Sequence, residues 1–212
     1  MSLSRSGPSK IACNFVEYCG LTLERRRLGN MYQYAVFLRG INVGGVKILM
    51  KDLISLFEQA GFSPVRTLLA SGNVVLGSEH EHASMIKVIC EQHLAQSYNR
   101  ELKVIVQDLG QLESVVSGYP FVASPDGVQR HEYVVLTDSV ADAAAILATA
   151  PEALDSERLM QLGAHICWEV PRGESLSSPL AKHFAKVSKK YLVTTRNMNT
   201  MAKVLNIMRE LA

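Results

Sequence analysis

Between residues 32 and 106 the apolar pattern runs through six segments, four of strand period and two of helix period, and that succession restricts the fold more than any other feature of the chain. Tyr32–Leu38 is short and nearly all apolar, as expected of a strand buried on both faces. Leu49–Ala60 places Met50, Leu53, Ile54 and Phe57 on one helical face and stops at Gly61. Val65–Leu69 and Asn73–Leu76 read as strands on either side of the break at Ser71-Gly72. Ser78 followed by Glu81 has the spacing of a capping box. The helix after it sets Ile86, Ile89, Cys90, His93 and Leu94 three and four residues apart. Leu102–Val106 is a fourth strand. Strand-helix-strand-strand-helix-strand is the ferredoxin-like order (βαββαβ), with two helices on one face of an antiparallel sheet.

The remainder echoes this order incompletely. Leu109–Val116 reads as a short helix and 118–127 as a Pro/Gly-rich loop. Glu132–Leu136 is a strand, and Ser139 with Asp142 caps an Ala-rich helix to Ala148. Leu159–Leu162 and His165–Val170 are two strands around Gly163. Pro179–Lys189 and Asn197–Leu211 are helices, the latter with Met198, Met201, Leu205 and Met208 on one face. The predicted class is therefore α+β. It combines a ferredoxin-like subdomain over 31–107 with a second, smaller α+β subdomain over 108–212 that ends in a helix. Residues 1–30, rich in Ser and Arg and without a persistent apolar face, are expected to lie outside the domain as an extension.

Charge narrows the function classes. The 212 residues carry a net charge of only +2, distributed unevenly. Residues 108–170 hold ten acidic and two basic side chains, whereas 171–212 hold eight basic and two acidic. The imbalance is too small for a duplex-DNA binder, and no zinc-finger or helix-turn-helix motif accompanies it. No apolar run approaches the roughly 20 residues that span a bilayer, so no membrane partner is expected. Cys13, Cys19, Cys90 and Cys167 are scattered, which points to reduced thiols and a cytoplasmic protein. No zinc spacing occurs and no metal is expected. His80 and His82, flanked by glutamates, read as a solvated helix start.

Three polar segments are the candidate site. Arg39-Gly40-Ile41-Asn42-Val43-Gly44-Gly45, with Lys47 after it, combines glycines that permit close backbone approach with two cations. It is neither a dinucleotide fingerprint nor a Walker A loop. Ser71-Gly72-Asn73 sits between two strands, and no residue stands out as a base for Ser71. Thr195-Arg196-Asn197-Met198-Asn199-Thr200 precedes and opens the last helix, where free amides favour an anion. Arg39, Asn42, Gly44, Gly45, Lys47, Ser71, Asn73, Thr195, Arg196, Asn197, Asn199 and Thr200 are thus expected to bind a small anionic ligand, phosphate-bearing or nucleotide-like. Two alternatives stand beside this one. The segments are an internal hydrogen-bond network in a non-catalytic structural or interaction module, or the ferredoxin-like half binds RNA or single strands on aromatics such as Tyr32, Tyr34 and Phe37. Neither a cofactor nor catalytic residues can be named.

Taken together, the blocks at 39–45, 71–75 and 195–200 resemble the three signature segments of the bacterial DUF1697 family of uncharacterised proteins, over roughly Tyr32 to the C-terminus. The resemblance implies a two-subdomain α+β protein with a ferredoxin-like N-terminal half that begins near Met31. It implies no substrate and no catalytic residue. The family's third block usually carries tryptophan where this chain has Met198, which fills an apolar slot but offers no indole N–H.

Overall fold

Strand β1 (Tyr32–Leu38) is buried along nearly its whole length, and the two faces of its alternating side chains enter two different cores. A computed structural model of the chain describes residues 31–41, 48–122 and 127–212. After β1 come α1 (Met50–Gln59), β2 (Val65–Leu68), β3 (Asn73–Ser78), α2 (Ala83–Tyr98), β4 (Val104–Asp108) and α3 (Leu109–Ser117). Then follow β5 (Arg130–Thr137), α4 (Val140–Ala148), β6 (Arg158–Leu162), β7 (His165–Pro171), α5 (Pro179–Val187), β8 (Val193–Asn197) and α6 (Met198–Leu211).

The first four strands form a sheet of order β2-β3-β1-β4 and the last four a sheet of order β6-β7-β5-β8, with every pair antiparallel. The two orders are the same. Each half runs strand-helix-strand-strand-helix-strand and adds one further helix, α3 or α6. The repeat suggested by the element order is thus a topological one, and it includes a strand that the sequence pattern does not reveal. Residues 193–197 read as the polar lead-in to a helix, yet they form β8 along the edge of the second sheet, beside β5.

Three cores follow from the strand alternation. Tyr34, Val36, Leu38, Val74 and Leu76 face α1 and α2. Val135, Ile166, Trp168 and Val170 face α4 and α5, where Trp168 stacks on Tyr133 with ring centroids 5.1 Å apart. Between them, Ala35, Phe37, Val75 and Ile105 from one sheet meet Val134 and Leu136 from the other, together with Leu112 of α3 and Met198, Met201, Val204, Leu205 and Met208 of α6. Residues 31–212 form one compact unit.

The expected capping box at Ser78 does not form. β3 continues through Ser78, whose hydroxyl accepts from the His80 N–H at 3.1 Å, and α2 begins only at Ala83 with no side-chain cap. Pairing across the sheet decides where the strand ends, and it outweighs a four-residue local signal. The α3 helix does carry a capping box, between Asp108 and Gln111. Asn197 caps α6, accepting from the Asn199 N–H at 2.9 Å.

Candidate functional site

The polar cluster is assembled by β8. Antiparallel pairing sets Arg196 opposite Val134, so its side chain enters the central layer, whereas Thr195, opposite Val135, points to the other face. The Arg196 guanidinium has five N–H groups, and each finds an acceptor. Nε donates to Asn73 Oδ1 at 2.6 Å. Nη1 donates to Thr194 Oγ1 at 2.7 Å and to the Thr195 carbonyl at 2.9 Å. Nη2 donates to the carbonyls of Leu38 at 2.8 Å and Ser71 at 3.0 Å. Arg196 therefore bonds three strands or turns of the first sheet from an edge strand of the second. Its carbon Cζ also lies 5.8 Å from the centre of the Phe37 ring. Burial pushes its pKa down to about 10, which leaves it charged at neutral pH.

Asn73 is fully buried and divides its amide between these groups. Its oxygen accepts from Arg196, and its Nδ2 donates to the Leu68 carbonyl and to Ser71 Oγ, both at 2.9 Å. Gly72 adopts φ +72°, and a Cβ there would lie 2.5 Å from Ile41 Cδ1 and 2.9 Å from Leu38 Cβ, so no larger residue fits the turn. Arg39 leaves this cluster: its Nη2 donates to the Ser188 carbonyl at the end of α5. Asn199 is exposed and Thr200 half-buried. Met198, in the position of the usual tryptophan, packs into the central core. Asn42, Gly44, Gly45 and Lys47 lie outside the described residues. Of the candidate residues, the structure thus joins Ser71, Asn73 and Arg196 directly, with Thr195 contributing its carbonyl.

A second polar bridge escaped the sequence reading. Gln107 on β4 touches His165 Nε2 on β7, and the Thr137 N–H points at His165 Nδ1 at 3.3 Å. Both side chains are buried. Desolvation lowers the His165 pKa from 6.5 to about 4, opposed by a hydrogen bond with the Ala164 backbone. The folded form thus refuses a proton that the unfolded chain accepts, so stability is complete above pH 6.5 and falls as pH drops toward 4. Wild type should lose about 3 kcal/mol more than His165→Gln between these limits. Urea titrations of both proteins at several pH values within that window check this.

Burial makes poor nucleophiles of the two cysteines among the described residues. Burial raises the Cys90 thiol far above its usual range and pushes Cys167 up to about 12. Among the described residues, no cluster of three or more His, Cys, Asp or Glu side chains is placed to hold a metal, and no helix is long and apolar enough to cross a membrane.

Among solved structures, the chain is similar to the conserved bacterial protein SP0830 from Streptococcus pneumoniae, with 23% identity and a TM-score of 0.69, over 85% of this chain and 99% of that one. A structure described as an unknown protein from Galdieria sulphuraria aligns at 13% identity over 79% of this chain and 98% of that one, with a TM-score of 0.25. No curated protein matches the sequence. The family model described as a protein of unknown function, DUF1697, matches residues 31–166 and so takes in the first two signature segments. With that match over more than half of its length, the chain belongs to the DUF1697 family.

Proposed function

We propose that the chain is a non-catalytic structural or interaction module, in which the signature segments form an arginine-centred clamp between two sheets. The observation that carries this reading is the complete internal use of the Arg196 guanidinium, with all five N–H groups bonded to protein acceptors. An anion at this position would have to displace those acceptors. Ser71 Oγ is bonded to the Asn73 amide, which takes up no proton, so the cluster holds no nucleophile–base pair. Buried free thiols at Cys90 and Cys167 fit a reducing compartment such as cytoplasm. The reading of the first sheet as an RNA platform loses support for a related reason. Tyr34 and Phe37 are buried on opposite faces, each covered by helices, so neither offers a base a free ring.

The test pairs binding with stability. Calorimetric titration of the wild-type chain with inorganic phosphate and with AMP should give no saturable heat, while Arg196→Lys should lower the unfolding midpoint, because an ammonium cannot reproduce the fork. Saturable phosphate binding that disappears in Arg196→Lys, with stability unchanged, would refute the clamp and restore the anion site.

A further inference from the structure

The repeat relates the arginine clamp to a second place in the fold, and that place is open. Gln107 stands opposite Ala35 on β1 just as Arg196 stands opposite Val134 on β5. His165 stands opposite Leu136 just as Asn73 stands opposite Phe37. In both places the last strand of one half reaches the third strand of the other: Arg196 to Asn73, and Gln107 to His165. Even the flanking ties correspond. Arg39, just after β1, bonds the end of α5, and Asp138, just after β5, pairs with Lys87 of α2.

What fills the two places differs. In the clamp, Leu68 pairs with Asn73, so four residues make the turn, and one of them supplies a carbonyl to Arg196. In its counterpart, Leu162 pairs with His165, and only Gly163 and Ala164 make the turn. Glutamine is also shorter than arginine. The shorter turn and shorter side chain leave a cleft of about 330 Å³, at the small end of the roughly 300–1,000 Å³ typical of ligand sites. Gln107, a side chain only 3% exposed that lines this cleft, meets His165 with one end of its carboxamide and leaves the other end without a partner. Native structures leave few buried polar atoms unpaired, and here the unpaired atom belongs to a side chain that lines a cleft.

The lining states the chemistry. It contains no lysine and no arginine, and its one acid, Asp138, is already paired with Lys87. His165 is neutral at physiological pH. An anion therefore finds no counter-charge. Val106, Val115 and Leu162 supply apolar wall. Gln111, whose Oε1 accepts from the Asp108 N–H, keeps its amide N–H groups for a ligand, and Ser114, which donates to the Gly110 carbonyl, keeps its lone pairs. A carboxamide surrounded by such groups is complemented by another amide, with a donor and an acceptor side by side.

We propose that the cleft between β4–α3 and the β6–β7 turn binds an uncharged cyclic amide, of the kind found in lactams and pyrimidine bases, with Gln107 as its central hydrogen-bonding partner. The site is independent of the clamp, so failure of either reading leaves the other standing.

The test uses the full chain labelled with ¹⁵N and titrated with uracil up to its solubility limit. The side-chain amide signals of Gln107 and Gln111 should shift saturably, and inorganic phosphate at the same concentrations should leave them in place. Gln107→Met keeps the volume and removes the amide, and should weaken uracil at least about tenfold. Gln111→Ala, a change at an exposed position, should weaken it by a smaller factor with no loss of fold. Absence of saturable shifts at Gln107 in the wild-type chain overturns the proposal, as does an equal response to phosphate or undiminished binding by a folded Gln107→Met.

Discussion

Replacing Arg196 with alanine should lower the unfolding free energy by about 4 kcal/mol. The loss comes from the acceptors left behind. Asn73 Oδ1 and the carbonyls of Leu38 and Ser71 lie in the first half and receive their arginine donors from β8 of the second. Each buried acceptor stripped of its partner costs about 1–3 kcal/mol. Two effects reduce the sum. Removing the side chain also removes a desolvated charge, and the space it vacates admits water to some of the acceptors. Arg196→Met distinguishes these contributions. It keeps the volume filled and excludes water, so it should be at least as damaging as alanine even though it packs better. An arginine at the surface, by contrast, contributes at most about 1 kcal/mol through an ion pair. Urea titration of the three proteins with equal slopes is the measurement. A loss below about 1 kcal/mol in Arg196→Ala would mean that the guanidinium does not bind the sheets together.

The clamp also explains which parts of this fold a reader of the sequence recovers. β1, β3 and β7 are apolar enough to declare themselves, because both faces of each are covered. α6 declares itself through Met198, Met201, Leu205 and Met208, all buried. β8 does not, because its inward residues are Thr194 and Arg196. The burial of Arg196 depends on acceptors 120 and more positions away in sequence, which no window of neighbouring residues contains. The same holds for Gln107 and His165, which are 58 positions apart. A signal for the second bridge was nonetheless present in the chain. Tyr34-Ala35-Val36-Phe37 in β1 answers to Tyr133-Val134-Val135-Leu136 in β5. Leu109, Leu112, Val115 and Val116 of α3 have the same spacing as Met198, Met201, Val204 and Leu205 of α6. Aligned without a gap, the second of those runs places Gln107 at the position of Arg196, and so marks the counterpart of the clamp.

Phe57→Ala should destabilise the fold by about 3–5 kcal/mol, the range for truncating a fully buried phenylalanine. The position is set by helical spacing: Leu53 and Phe57 lie one turn apart on α1, and both are completely inaccessible. Phe57 joins the core formed with Val36, Leu38, Ile86 and Leu94, and meets Phe62 edge-on with ring centroids 6.2 Å apart. Alanine would leave a void among side chains fixed by two helices and a sheet, and such a frame collapses little around a missing ring. Phe57→Leu restores most of the apolar volume and should cost less than half as much. The neighbouring Glu58 is exposed, so Glu58→Ala changes the same helix without touching the core and should stay within about 0.5 kcal/mol. Denaturant titration of the three variants orders them, and a cost below about 1 kcal/mol for Phe57→Ala would place α1 in a different register on the sheet.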